Sequence, residues 1–573
     1  MKKTLSFLKN YKLQSILAPL FKLIEAALEL LVPIIVSSIV DKGINVATPD
    51  KQYILYMFLL MLGVGLVGFL FSVTAQYFAA VAAVGLSTDL KKALFKKIQS
   101  LPYYSLDKVG SSSLVTRMTS DATQVQNGVN MTLRLFLRSP VIVFGALIMA
   151  CTISLKIALI FLGVIIVLSI VILTIMFKCI PLNKKAQERL DSITLSTREN
   201  LVGARVIRAF SKEDSEIKSY QEKNADLAKQ QKHIGWINGL MNPLTYVILN
   251  AAIILVVYVG ALNVNTGDLT QGNVIALYNY LSIILTELIK FATLIITINK
   301  AIACANRVES VLNIDENLKF SDEKNISSSY IEFNNVTLKY HESASPALKN
   351  ISFKVNKGDT IGIIGGTGSG KTSLVNLLPH FYDVSEGSVS LEGNNVNSYD
   401  VNELRSKFGV VPQKAVLFKG TIRSNLTFRK KDATDEEIFE ALKTAQGIDV
   451  VEKKEKGLDS DVEQNGQNFS GGQKQRLCIA RALVGNPDIL ILDDSSSALD
   501  YATDAKLRKA LKHLDYKPTV FIVSQRTSSI AHCDQIIVLD NGEMVGLGTH
   551  EELLKNCEVY QEIHYSQTKK EDR

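Results

Sequence analysis

Long apolar runs fill the first half of this sequence, and a chain that carries them has few places to hide them other than a lipid bilayer. Starting near Ser15, SILAPLFKLIEAALELLVPIIVSSIV is long enough to cross a hydrocarbon core of ~30 Å, which takes about 20 helical residues. A second run begins at Tyr53, a third at Ser139, a fourth at Ala158, and a last pair at Pro243 and Val274. We place six spans, at 15–40, 53–83, 136–154, 156–178, 240–262 and 274–299, in a membrane domain of residues 1–304. Composition agrees: 47% of the 573 residues are hydrophobic, against a net charge of only +7, which excludes a disordered chain. Six scattered cysteines without CxxC pairs argue against a disulfide framework or a zinc site.

Positive charge sets the expected orientation. Lys91, Lys92, Lys96, Lys97 and Arg117 lie between spans two and three, and Lys184, Lys185, Arg189, Arg205, Arg208 and Lys212 between spans four and five. The other connections are short and poor in cations. The positive-inside rule then puts both termini and both long connections in the cytosol. Each of these connections has about fifty residues, too long for a structureless loop, so the spans should run on as cytosolic helices. Pro102 and Gly203-Ala204 mark the expected breaks. Glu25 and Glu29 stand four apart, hence on one helical face, and charge within a span is costly. Such charges mark a functional role by default, and the alternative, which we favour, is that they face a wet bundle interior or pair locally, as for Glu287 with Lys290.

From residue 305 the character changes. Residues 305–330 are polar and read as a linker, and from Ile331 short β-branched runs alternate with helical patterns, as in an α/β domain covering 331–573. There IGIIGGTGSGKTS sets an apolar strand before the loop Gly365, Gly366, Thr367, Gly368, Ser369, Gly370, Lys371, Thr372 and Ser373. This is the P-loop pattern in its required context. Backbone N–H groups would cradle phosphate oxygens, Lys371 would bridge the terminal phosphates and the Thr372 hydroxyl would hold Mg²⁺. PDILILDDSSSALD is a buried strand ending in Asp493 and Asp494, and Asp493 is the expected Mg²⁺ partner. In NFSGGQKQRLCIARALV, Ser470, Gly471, Gly472 and Gln473 open a helix whose free N–H groups suit an anion. A second phosphate-reading helix start makes sense if it completes a site on another subunit.

Taken in order, these motifs resemble those of an ATP-binding cassette exporter half-transporter, six spans fused to one nucleotide-binding domain. The resemblance covers nearly the whole chain. It implies that Tyr340 in NNVTLKY stacks on adenine, that Gln413 in VVPQKAVLFKGTIRSNL links Mg²⁺ to the membrane helices, and that Ser497 to Asp500 communicates across a dimer. It also implies coupling helices near Tyr103–Asp107 and Phe210–Asp214, the first against its own or the partner's nucleotide-binding domain, the second against the partner's.

Three departures from the family pattern stand out. Asp494 replaces the usual catalytic Glu, Gln525 in FIVSQRTSS replaces the switch His, and Gln464 replaces a Glu ahead of the signature. The expectation is a site that binds ATP and Mg²⁺ yet hydrolyses slowly, in one subunit of a heterodimeric bacterial plasma-membrane exporter of amphipathic drugs, lipids or peptides. Ser470 to Gln473 would then complete the competent site of a partner that keeps its catalytic Glu. An ATP-gated membrane regulator or channel, and a homodimeric exporter with slow ATPase, are the alternatives. No nucleic-acid partner is expected.

Overall fold

The structure is a computed structural model that describes residues 2–45, 49–314, 327–340 and 345–567. It divides into two compact units, one built from 1–100 and 110–314, the other from 101–109 and 315–573.

The first unit is helical. Among the described residues six stretches are long and apolar enough to cross a membrane, Lys3–Ile44, Lys51–Ser100, Ser111–Ile153, Leu155–Val202, Glu213–Asn265 and Gln271–Leu312. The helices used below are α1 (Lys12–Ser38), α2 (Lys51–Ser100), α3 (Arg138–Ile153), α4 (Leu155–Val202) and α5 (Gln271–Leu312). At 1.5 Å per residue α2 measures ~75 Å, more than twice the ~30 Å hydrocarbon layer, so the spans do continue as helices. Its two halves read differently. Leu59, Leu62, Leu66, Phe69 and Leu70 are exposed, as suits a face whose solvent is lipid, whereas Ala75, Ala79, Ala82, Ala83, Leu86, Leu90 and Leu94 are buried. The small residues in that second set let neighbouring backbones approach closely. A core of Leu30, Ile142, Phe161, Leu168, Val256, Leu277 and Tyr280 ties the spans together, and the Tyr280 hydroxyl donates to the Leu30 carbonyl at 2.7 Å.

The acidic residues of the spans are paired. Glu287 accepts from Lys290 at 2.9 Å, the pair read from sequence, and Glu25 pairs locally, accepting from Lys22 at 2.5 Å. The link between them was not expected. Arg138, at the start of α3, donates to Glu287 of α5 at 2.7 Å and to Glu29 of α1 at 2.6 Å, and Ser139 donates to the second Glu287 oxygen at 2.8 Å. One guanidinium therefore joins three helices.

Helix breaks follow backbone chemistry. α2 stops at Ser100 ahead of Pro102, and a short helix, Tyr103–Val109, follows. α4 stops at Val202 with Gly203 as its cap. The next short helix covers Ala204–Ala209 rather than Phe210–Asp214. Ser211 has φ +49°, outside the right-handed helical region, so residues 210–212 form a turn instead. The linker begins later than residue 305: α5 runs through Leu312, because Ala305, Val308 and Val311 are buried at helical spacing. The linker's middle, residues 315–326, lies outside the described residues.

The second unit holds two principal sheets. One is four-stranded and antiparallel, in the order β2-β1-β4-β5, from β1 (Ile331–Leu338), β2 (Leu348–Val355), β4 (Glu386–Leu391) and β5 (Asn394–Asn395). The other is six-stranded, from β3 (Thr360–Gly365), β6 (Phe408–Val411), β7 (Ile489–Asp493), β8 (Thr519–Val523), β9 (Gln535–Asp540) and β10 (Glu543–Gly548). Its order is β10-β9-β3-β8-β7-β6. All its pairings are parallel except β9 with β10. Ile361, Ile363, Ile491, Phe521 and Ile537 point into one buried face, and Ile364, Leu490, Leu492, Ile522 and Val538 into the other. Strands covered on both faces read as continuous apolar runs, which is how ILIL and VFIV appear in the sequence. The second unit also carries α6 (Lys371–Leu377), α7 (Gly471–Leu483), α8 (Tyr501–Lys512) and α9 (Glu558–Gln567).

Candidate nucleotide-binding site

Three neighbouring parallel strands deliver the site. β8 lies between β3 and β7, with Val523 in register with both Ile363 and Asp493. The P-loop, the Asp493-Asp494 pair and the Ser524-Gln525 turn thus leave the sheet side by side at its carboxyl edge, where open α/β sheets bind ligands. They line a cleft of about 300 Å³ together with Tyr340, Ala347 and Gln413. Thr367, Gly368, Gly370, Lys371, Thr372 and Ser373 are the P-loop residues that line it.

Local geometry explains the glycines at two positions. A Cβ on Gly365 would sit 2.1 Å from the Leu539 carbonyl oxygen of β9, so only glycine lets the strand end this close to its neighbour. Gly370 has φ +95° and a Cβ there would lie 2.6 Å from the Ala347 carbonyl oxygen, a backbone state that glycine adopts at little cost. The Lys371 ammonium donates to the Gly365 and Gly366 carbonyls at 3.0 and 2.5 Å. Burial lowers its pKa, partly offset by Asp494 and Asp493. The Thr372 hydroxyl donates to the Asp493 carboxylate at 2.9 Å. That hydroxyl and carboxylate, with the Gln413 side chain lining the same cleft, form an all-oxygen set. This fits Mg²⁺, which is held by one or two carboxylates and otherwise by phosphates and water.

Asp494 sits at φ +45°, a left-handed turn that Asp tolerates better than most residues, and this turns the chain out of β7. Its N–H donates to the Val523 carbonyl at 3.0 Å. Burial pushes its pKa up, while a side-chain hydrogen bond from Gln413 and the charge of Lys371 pull the other way. Burial likewise raises Asp493. Tyr340 donates or accepts at Ser373 Oγ across 2.8 Å and meets Tyr382 edge-on at 5.1 Å. The short helix Tyr103–Val109 belongs to this unit. Tyr103 stacks on Phe381 at 4.5 Å and Asp107 accepts from the Tyr382 hydroxyl at 2.8 Å.

The signature residues and Asp500 do not line the cleft. Ser470 and Gln473 form a capping box on α7, with Gln473 N–H donating to Ser470 Oγ at 3.3 Å and Ser470 N–H to Gln473 Oε1 at 2.9 Å. Gly471, the first residue of α7, is exposed. Asp500 caps α8, accepting from Thr503 N–H at 2.9 Å and its hydroxyl at 2.7 Å. Within one chain, then, the P-loop group converges and the signature group stands apart with its first turn open.

A P-loop and a strand-end Asp pair on one sheet edge, with a separate glycine-led helix start, follow six apolar helices. Models of two families match this arrangement: an ABC transporter transmembrane region over residues 15–288 and an ABC transporter domain over 348–497. An ABC transporter ATP-binding protein of Bacillus subtilis, YfiB, is 35% identical over 99% of this chain and 98% of its own length. The chain belongs to the ABC transporter family. An ABC transporter ATP-binding protein of Mycobacterium tuberculosis is 33% identical over 96% of this chain and 95% of that one. The fold matches a solved bacterial Atm1-family ABC exporter with ATP bound, with a TM-score of 0.81 over 97% of this chain and 99% of that chain, at 23% identity. As an ABC transporter it carries a membrane region and an ATP-binding domain that implies ATP hydrolysis, and such exporters work as dimers in a membrane.

Two residues near this transporter's cleft carried no sequence signal. Tyr382, beside Tyr340, lies in a turn with no motif of its own. Gln567, in the last turn of α9, donates to the Gln525 carbonyl at 2.7 Å, and its place at the far end of the chain gave no hint of that contact.

Proposed function

We propose that this chain is the slow-hydrolysing subunit of a heterodimeric exporter. One observation carries the reading: Asp494 and Gln525 both line the cleft beside Lys371 and Thr372, where the family pattern has Glu and His. Asp is one methylene shorter, and misplacing a group by about 1 Å can cost on the order of 100-fold in rate. Gln525 cannot carry the charge or move the proton that a His would near neutral pH. General-base assistance is worth roughly 10²–10⁴-fold, and that is the contribution this site gives up.

Binding does not depend on those two groups. Gly365 to Ser373 supply phosphate donors, Tyr340 offers a platform for the base, and Thr372, Asp493 and Gln413 would hold Mg²⁺. When bound, that ion neutralises charge developing on the transferred phosphoryl group. Ser470 to Gln473 would complete the partner's competent site, and Asp500 would lie at the junction between the cassettes. The positive-inside distribution supports cytosolic termini, and the bacterial relatives support a bacterial plasma membrane. An amphipathic cargo is supported by a Staphylococcus aureus relative, 29% identical over 98% of this chain and named as a candidate multidrug export ATP-binding/permease protein.

Purified alone, this chain should show little ATPase; co-expressed with a partner that keeps its catalytic Glu, the pair should show far more. Exporter-like rates from this chain alone would refute the heterodimer. Nucleotide trapped at this chain's P-loop after brief turnover of the pair should be mainly ATP, and mainly ADP there would count against slow hydrolysis. Cargo flux into vesicles against a gradient, with and without hydrolysable ATP, separates a pump from an ATP-gated channel.

A further inference from the structure

Gln525 sits in a short turn, 524–526, between the end of β8 and the one-turn helix Thr527–Ile530. Within the turn, Ser524 Oγ accepts from Arg526 N–H at 3.0 Å. Ser524 N–H donates to the Ile363 carbonyl of β3 at 3.0 Å and the Arg526 carbonyl accepts from Ser529 N–H at 3.1 Å, and a further restraint comes from about forty residues further along the chain. Gln567 Nε2 donates to the Gln525 carbonyl at 2.7 Å. Gln567 Oε1 accepts from Thr527 N–H at 2.9 Å and from the Thr527 hydroxyl at 3.3 Å. His564 Nδ1, three residues earlier on α9, lies 3.1 Å from Thr527 Oγ1.

Both ends of the Gln567 amide are therefore used, and each answers a backbone group that needs a partner. Thr527 N–H is the first of a helical turn, one of the donors that a helix start leaves without an internal acceptor. The Gln525 carbonyl belongs to the switch residue itself. A primary amide presents a donor and an acceptor side by side, which an ionised carboxylate does not. The helix that carries it is well anchored. Tyr560 is fully buried, its hydroxyl is 2.7 Å from His550 Nδ1, and Val559 and Ile563 pack on the domain core.

We propose that Gln567 is a positioning residue for the terminal-phosphate end of the nucleotide cleft, fixing the 525–527 backbone so that the Gln525 side chain faces Lys371 and Asp494. The inference rests on the reading of that cleft as an ATP site. Tyr340 and the P-loop backbone hold the base and the inner phosphates, so they serve ATP and ADP alike. Gln525 lines the cleft beside Lys371 and Asp494, at the end where ATP would carry a phosphate that ADP lacks. Loosening the switch turn should cost ATP affinity and leave ADP affinity alone.

The test uses the full chain in detergent with Mg²⁺, with ATP and ADP each titrated in competition with a fluorescent nucleotide. Gln567→Ala should lower the ratio of ATP to ADP affinity by about five-fold, the scale of losing one or two neutral hydrogen bonds. ADP affinity and the unfolding midpoint should stay put. Gln567→Glu keeps the acceptor and the shape but turns an oxygen toward the Gln525 carbonyl, so it should lose the ratio at least as much. A merely structural role would lower the midpoint and weaken ATP and ADP together, and that outcome overturns the proposal. So does a ratio within two-fold of the wild type in both variants. If the wild-type chain itself binds no Mg-ATP, the ATP-site reading fails and this inference falls with it; if it binds ATP and the variants match it, this inference alone falls.

Discussion

Gly471→Glu should remove nearly all ATPase activity from the assembled transporter while leaving this chain folded. Gly471 opens α7 after the Ser470 cap, and a Cβ built there meets nothing within 4 Å. The added side chain has room within its own subunit. A carboxylate in the first turn of a helix is, if anything, favourable to that helix by a few tenths of a kcal/mol. Whatever the substitution damages must therefore lie outside this chain. In the proposed assembly that is the partner's nucleotide, whose terminal phosphate would meet a side chain in its path and a like charge at close range. A fall of more than about 100-fold is expected, the scale of losing close backbone donors in a reacting site. On the same proposal Asp494→Asn removes a base set back from the reaction, so the loss should stay within about ten-fold. The measurement is steady-state ATPase of the pair for each variant. If Asp494→Asn were as damaging as the Gly471 change, this chain's own cleft would be the main hydrolytic site, and the division of labour would have to be given up.

The second large effect is expected in the membrane domain. Arg138→Ala should destabilise it by about 3–5 kcal/mol, the usual consequence of removing one partner from a buried ion pair. Glu287 is only 2% exposed and would keep Ser139 and Lys290 but lose the guanidinium. Glu29 would lose its 2.6 Å partner as well. Thermal unfolding in detergent should show the midpoint lowered by roughly 10 °C. Lysine at 138 should recover only part of the loss, because one ammonium does not present two separated N–H pairs to carboxylates on different helices. The double change Arg138→Met with Glu287→Gln should recover more, since it removes the buried Glu287 charge and leaves uncompensated only Glu29, whose side chain is 39% exposed. A single change that leaves the midpoint where it was would show that water reaches these carboxylates and that the three-helix junction contributes little.

Much of this molecule was legible from local sequence. Six spans follow from the length of apolar runs, since a backbone crossing hydrocarbon must be helical to satisfy its own hydrogen bonds. The P-loop and the strand-end Asp493 were legible because their chemistry is carried by residues a few positions apart. The continuation of α2 and α4 as helices followed from connections of about fifty residues, too long for structureless loops. What sequence left open is set by meetings between distant residues. Glu287 showed its local lysine at i+3, but Arg138, which joins Glu29 to Glu287, sits 109 and 149 residues from them. The second short helix falls at Ala204–Ala209 because Ser211 takes a left-handed conformation that nothing in its neighbours announced. Placing Asp494 and Gln525 on one cleft required the β3-β8-β7 order, and the Gln567 clamp required α9 to return to the end of β8. Local pattern determines which element forms, because helix and strand answer to periodicity over a few residues. Which side chains meet is decided by packing, because a contact between distant residues leaves no periodic trace in either segment.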